Sequence, residues 1–424
     1  MQSIINYQVK SCQHKSYFIV DAAILFAAVL HLQAGDWLSP QFRYIGDALM
    51  MLLLLASLGL NKKHTYTTKG LIQAGWIFLI INLAYIAYSF VLWGELIYII
   101  RLARQPLLSA VYLIIIFRFI NTSLHSPKND WLFWSLLLFL TINTILASFG
   151  VVTPLYSERA VVFQNLPVEK VFIKGSVAAY LLPIILSSFK LKRHLVLGTI
   201  LGIIYILFIA LYIIRFRYWF IIMFVGFGLV ILIAWLNKRS VINKLKTFVI
   251  LFLIFIISII IFMQTSIYSY VINWLSSGVN DIVSQQGTFL YRLERDISRI
   301  NYQLGDQIIH ILFGYGFVHK DSRAVNILGF SSETNDVGFV QFMITYGVVG
   351  TFIYFAVWIR ALLTLYRASR LQNSLPYGSA AVIGLIMIFS LFSSNFLLWE
   401  TFFIPCFIAI RLLISRGLIN NRVS

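Results

Sequence analysis

The 424-residue chain is 60% hydrophobic and 11% charged, and its 33 Lys and Arg against 15 Asp and Glu give a formal charge of +18. Soluble domains carry about 25% charged residues, so the composition excludes a soluble globular protein and points to an all-α polytopic membrane protein. The basic excess does not require nucleic acid as a partner, because cytoplasmic loops of membrane proteins concentrate Lys and Arg.

Twelve apolar spans are predicted in chain order, at 17–35, 42–60, 71–93, 104–120, 131–150, 171–189, 194–214, 218–236, 247–265, 337–359, 379–395 and 399–415. The span at 104–120 is the least regular, because Arg101 and Arg104 lead into it and Pro106 breaks its start. The run 379–415 divides at Asn395 to Glu400, where polar and interfacial residues fall. The Ala-rich run at 22–28 has no processing site after it, so no cleavable signal peptide is expected. Cys12 and Cys406 lie far apart and offer neither a disulfide framework nor metal-ligand spacing.

Twelve spans place both termini on one side. With the termini inside, the inner segments hold 20 of the 33 Lys and Arg, so a cytoplasmic location of both termini is expected. The acids run the other way, with Asp130 alone clearly in an inner loop. Asp21 and Asp47 sit within about a turn of a span end, so the spans are expected to carry almost no charge at mid-depth. Three regions follow: spans 1–9 in residues 1–264, one large outer loop at 265–336, and spans 10–12 with a cytoplasmic tail in residues 337–424.

The loop at 265–336 is the one long non-hydrophobic stretch, and a polar loop of that size in an apolar chain is the expected place for chemistry. Arg292, Arg295 and Arg299 recur at helical spacing and form one stripe, either a phosphate-binding edge or a face salt-bridged to Glu294 and Asp296. Earlier in the chain, Arg215 and Arg217 sit in a tight outer turn, IIRFRYWF. They read as a clamp for a lipid phosphate, which guanidinium binds bidentately, or as interfacial anchors beside Tyr218 and Trp219. Glu333 and Asp336 precede the span at Val337. Asp336 also fits a helix N-cap, where the anion is stabilised and its basicity falls, so Glu333 is the stronger general-base candidate. Tyr291 and Tyr315 are candidates for stacking on sugar rings. His310 and His319 lack metal-ligand spacing and are expected to be non-catalytic; no metal or other cofactor is expected.

The outer R-x-R at Arg215, the Arg-led segment YRLERDISR, the LFGYGF turn and an acidic segment running into DVGFVQFMITYGVVGTFIYF together resemble the superfamily of O-antigen polymerases (Wzy-type) and O-antigen ligases. The resemblance covers roughly Arg215 to Tyr354. Ligase relatives begin the last segment with His-Asn, and here that His slot holds Asp336, which leans the resemblance towards the polymerases. It implies a GT-C-like fold with short helices in the outer loop, and a bacterial inner-membrane location. Its partners would be undecaprenyl-pyrophosphate-linked glycans, membrane lipids and a chain-length regulator protein.

By the same resemblance Arg215, Arg217 and Arg292 would hold the lipid pyrophosphate, with Arg295 and Arg299 beside them. The expected reaction is an inverting, metal-independent glycosyl transfer that polymerises repeat units at the outer face, with Arg292, Glu333 and Asp336 as catalytic residues. Two alternatives are an O-antigen ligase acting on lipid A core and, in a different class, a lipid-linked oligosaccharide flippase or transporter. The transporter would show inverted repeats, broken helices and ionisable residues at mid-membrane.

Overall fold

The computed structural model describes residues 18–32, 38–59, 65–120, 131–148, 288–332, 338–391 and 400–423, with scattered positions between 181 and 236. These residues are all-helical, without a strand. The helices are α1 (Phe18–Leu32), α2 (Phe42–Leu58), α3 (Tyr66–Trp93), α4 (Leu96–Arg118), α5 (Trp131–Ser148), α6 (Thr288–Leu304), α7 (Ile308–Phe313), α8 (Arg323–Leu328), α9 (Gly338–Leu371), α10 (Leu375–Ser390) and α11 (Glu400–Val423). Helices α3, α4 and α9 are each long and apolar enough to cross a membrane, and α1, α10 and the first part of α5 are shorter apolar helices. The chain is therefore a helical membrane protein. Of the predicted spans, those at 194–214 and 247–265 lie outside the described residues, the one at 171–189 is described only at Leu181, Ile184 and Ile185, and the one at 218–236 is described at nine of its nineteen positions.

Local chemistry sets the helix ends. Thr65 caps α3 by accepting from Thr68 N–H at 3.4 Å, and Gly94 closes it in the left-handed conformation with its N–H on Phe90 O. Helix α4 starts at Leu96, a full two turns before the expected 104, and carries Pro106 internally. Tertiary packing outweighs the local cost of that proline: α4 lies against α2, α3 and α11, and from Leu108 to Phe117 every residue is buried. Helices α3, α9, α10 and α11 complete the core, with Trp358, Tyr112, Tyr346 and Tyr377 among its largest fully buried side chains.

The expected uninterrupted span at 337–359 is broken. Gly347 sits at φ 61° and ψ −169° inside α9, a conformation essentially restricted to glycine. A helix break leaves its last carbonyls without partners, and such groups cannot stay unsatisfied away from water. Four partners are supplied in order: Gln303 Nε2 to Met343 O at 3.0 Å, Tyr315 N to Ile344 O at 2.8 Å, Gly316 N to Thr345 O at 3.1 Å and Tyr85 Oη to Tyr346 O at 2.6 Å. The GYG turn thus acts as a C-cap donated from a distant part of the chain.

The expectation of nearly charge-free spans is also corrected. Arg104 on α4 grips Asp47 of α2 through Nε at 2.7 Å and Nη2 at 2.9 Å, and its Nη1 meets Glu400 of α11 at 2.7 Å. His31 on α1 joins through Nε2 to Asp47 at 2.9 Å and through Nδ1 to Tyr112 Oη at 2.9 Å. At the other end of the same helices, buried Arg411 pairs with buried Asp21. Arg411 is therefore a bundle residue, although it is one of the 20 Lys and Arg counted with the inner segments. Glu400 and Arg411 are about 16 Å apart along α11. The hydrocarbon layer is about 30 Å thick, so an α11 that crosses it holds at least one of these charges inside.

Candidate functional site

Residues 288–332, within the stretch expected to form the large loop, fold against the Trp93 end of α3 and the first half of α9. The anchoring is polar and specific. Trp93 Nε1 donates to Tyr315 O at 2.8 Å, Tyr88 Oη donates to Gly314 O at 3.0 Å, and Phe317 N–H donates to Ser89 Oγ at 2.8 Å. Glu95 accepts from Arg323 N–H, the first residue of α8, at 2.9 Å. Val318 and Ser332 exchange bonds of 2.8 and 2.9 Å, which brings the chain back towards α9. A small apolar cluster of Tyr315, Val318, Ala324, Leu328, Val340 and Ile344 fills the space beneath.

Helix α6 is strongly amphipathic. Asp296 is buried at 1% exposure, flanked by Arg295 at 3.5 Å and Arg299 at 3.7 Å. Arg299 also lies over the Phe330 ring, 6.0 Å from its centroid. Tyr291 and Arg292 are the fourth and fifth residues of α6, and their side chains lie outside the described residues. Glu294 is exposed. The Arg stripe therefore carries one buried carboxylate within it.

Next to α6, Asp306, His310 and Tyr315 form a compact cluster. Asp306 Oδ2 accepts from Tyr315 Oη at 2.7 Å and from His310 Nδ1 at 2.9 Å, while its Oδ1 accepts from Gln307 N–H at 2.7 Å. The Tyr315 hydrogen bond, with the Gln307 and His310 bonds behind it, holds the Asp306 carboxyl below its ordinary range. Burial pushes the Tyr315 hydroxyl up, and the adjacent Asp306 charge adds to this. The His310 ring tilts against Tyr315 at 4.8 Å, and Tyr302 packs on the other neighbours, at 6.3 Å from Tyr315 and 5.4 Å from Phe330. Tyr302 is 48% exposed, so it presents a ring to the outside. Tyr315, read from the sequence as a glycan contact, is fully buried and engaged on all sides by the protein.

Arg215, Arg217, Glu333 and Asp336 lie outside the described residues. Of the expected site residues, the structure brings Arg295, Arg299 and Tyr315 into one region. It adds three that the sequence reading did not select: Asp306, His310 and Tyr302. The Asp-x-x-x-His spacing was visible as an i,i+4 pair, but an unaided sequence gives no reason to prefer it over any other such pair. His319 is buried, stacked on Tyr98 at 5.4 Å, and accepts from Asp321 N–H at 3.2 Å. Among the described residues there is no group of three or more His, Cys, Asp or Glu placed to hold a metal. Comparison of the chain with known protein families and with curated proteins returns no match.

Proposed function

We propose that the chain is a membrane glycosyltransferase that polymerises undecaprenyl-pyrophosphate-linked repeat units at the outer face of a bacterial inner membrane. In this reading twelve helices cross the membrane with both termini in the cytoplasm. The observation that carries it is the convergence on the α6–α7 segment of a guanidinium pair, a carboxylate–imidazole pair and an outward-facing tyrosine. A pyrophosphate leaving group needs fixed positive charge, and preorganised charge at the leaving group is usually the largest catalytic contribution. An acceptor sugar needs an aromatic face and a polar partner for its hydroxyl. Arg292, Arg295 and Arg299, with Arg215 and Arg217, would meet the phosphates, and Glu333 or Asp336 would orient the acceptor. No sugar is specified by these residues.

The direct test is the purified protein in nanodiscs with synthetic undecaprenyl-pyrophosphate repeat units. A ladder of glycosidic products supports polymerisation. A product seen only when lipid A core is added makes the protein a ligase instead. Two observations favour a second reading, a lipid-linked oligosaccharide transporter: the broken helix α9 and the buried charges tying α1, α2, α4 and α11. Translocation of labelled lipid-linked glycan in proteoliposomes without any new glycosidic bond would select that reading.

A further inference from the structure

We propose that His310, oriented by Asp306, is the general base that takes the proton from the attacking sugar hydroxyl. The inference rests on the glycosyl-transfer reading and gives the base role to His310 in place of Glu333 or Asp336. Three donors converge on the Asp306 carboxylate: Tyr315 Oη, His310 Nδ1 and Gln307 N–H, at 2.7, 2.9 and 2.7 Å. A carboxylate that accepts all three is ionised and has no proton to give. His310 Nδ1 must then carry the ring hydrogen in that contact. In the neutral ring, Nε2 is left with a lone pair, as in any imidazole whose far nitrogen is held by a carboxylate. The His310 side chain is 17% exposed, enough for Nε2 to meet a substrate and little enough for the ring to be fixed by Tyr315.

The bland alternative is local: Asp306 precedes α7, and Asp306–His310 is an i,i+4 pair that closes its first turn. A capping pair does not need Tyr315, however. The Tyr315 hydroxyl comes from the GYG turn, which is itself held by the broken α9 and by Trp93, so the carboxylate is fixed from outside its own helix. Among the described residues, the titratable and charged groups around the ring are few. Asp306 and Tyr315 touch it, and Tyr302 of α6 lies beyond Tyr315, with Arg299 over Phe330. The half of α9 packed against α7 contributes one titratable group, Tyr346, whose hydroxyl is directed to Asn82 at 2.7 Å.

The substrate fits as follows. A sugar ring stacks on the exposed face of Tyr302 and presents a hydroxyl to His310 Nε2. The hydroxyl proton passes to Nε2 as its oxygen forms the bond to the anomeric carbon. The bond from that carbon to the phosphate oxygen breaks, and the lipid pyrophosphate leaves with the electron pair. The imidazolium is stabilised by Asp306 and later returns its proton to water.

The test uses the full chain in nanodiscs with defined lipid-linked repeat units. Loss of a general base costs about 10²–10⁴-fold. His310→Gln and His310→Phe are therefore expected to lose about 10²–10⁴-fold in kcat with KM little changed, and to lose the acid limb of the kcat/KM pH profile. Asp306→Asn is expected to lower kcat less and to move that limb. An active wild type whose His310→Gln variant keeps kcat within a few-fold and keeps the acid limb overturns the proposal and leaves the glycosyl-transfer reading standing. A wild type that forms no glycosidic bond overturns both. Should the variants fail to fold, the wild type still decides the matter through diethyl pyrocarbonate labelling mapped by mass spectrometry. His310 is expected to react and to be protected by acceptor glycan, whereas a His310 that is unreactive, or equally reactive with and without glycan, overturns the proposal.

Discussion

Gly314 and Gly347 meet backbone to backbone, one in the GYG turn and the other at the break in α9, and both have positive φ, at 72° and 61°. A Cβ on Gly314 would stand 2.6 Å from Gly347 N, and a Cβ on Gly347 would crowd Gly314 N and Leu312 O closer still. Only two glycines allow this approach, and the approach is what lets Tyr315 and Gly316 reach the carbonyls of Ile344 and Thr345. This close approach lets two backbone bonds tie the site region to α9, beside the anchors from Ser89, Trp93 and Glu95.

Gly347→Ala and Gly314→Ala are expected to prevent folding or to leave the 303–316 segment undocked. Each combines the strain of a φ/ψ region essentially restricted to glycine, about 1–3 kcal/mol, with an unavoidable clash against backbone. Gly329→Ala is the internal comparison, since Gly329 has φ 75° but nothing within 4 Å of an added Cβ. It is expected to cost only the strain, about 1–2 kcal/mol. Thermal unfolding of the three purified variants separates the contributions; equal losses in all three would mean that the close approach contributes nothing.

The helical class was legible in the sequence because apolar runs of span length have few other readings. The ends of α2 and the start of α5 were legible for the same reason, as apolar runs bounded by polar residues or glycine. The break at Gly347 was not, because its partner Gly314 is 33 residues away and a lone glycine in an apolar run carries no sign of its φ. The Arg104 network was hidden likewise: Asp47, Arg104 and Glu400 look like three separate residues near span ends until α2, α4 and α11 pack together. At the site, the Arg stripe was readable from spacing, whereas the Asp306 cluster depends on Tyr315 arriving from another turn.

Arg104→Ala is expected to destabilise the protein by about 3 kcal/mol, the lower end for breaking a buried pair, because Asp47 keeps 24% side-chain exposure. It leaves the Asp47 and Glu400 carboxylates facing one another without their shared cation. The double variant Arg104→Ala with Asp47→Ala should therefore cost less than the sum of the two single changes. Denaturation in mixed micelles provides the cycle. Strict additivity would mean that the pair is not energetically coupled.

Acid should loosen the 303–316 segment. The folded Asp306 carboxyl titrates below its ordinary 3.8. Its contribution is thus complete above the unfolded value and is lost as pH falls through the folded one. Hydrogen exchange of residues 303–316 is expected to keep its protection down to about pH 4 and to lose it below. Asp306→Asn should show weakened protection at every pH, without the acid transition. An identical acid transition in the variant would assign it to another group.

The sidedness of the loop can be read on whole cells. The basic inner segments predict that Lys62 to Lys69 and Arg367 to Gln372 face the cytoplasm and that Ser322, at the start of α8, faces outside. Single cysteines at 65 and 322, labelled with a membrane-impermeant maleimide, are expected to react at 322 alone. Labelling at 65 without labelling at 322 would invert the arrangement and move the α6–α8 segment to the cytoplasmic face.

The arginines provide the most demanding test of the proposed chemistry. A pyrophosphate leaving group carries at least two negative charges into a partly desolvated site. Lys supplies charge without the planar fork, and Ala supplies neither. Removing one donor from such a site costs about 10²–10³ in rate. Arg292→Ala, and the more important of Arg215→Ala and Arg217→Ala, are expected to abolish polymer formation nearly completely, with the Lys variants retaining a small fraction. Arg295 and Arg299 already flank Asp296 at 3.5 and 3.7 Å, so part of their charge is met within the protein and their alanine variants should lose less. Arg360→Ala and Arg370→Ala, on the second half of α9 beyond its break at Gly347, are expected to be near normal. Protein amounts must be matched across the set, because an interfacial anchor can be lost without any loss of chemistry. Full activity in the Arg215, Arg217 and Arg292 alanine variants at matched amounts would assign those residues to anchoring. The leaving group would then have to be held by Arg295, Arg299 or Arg323.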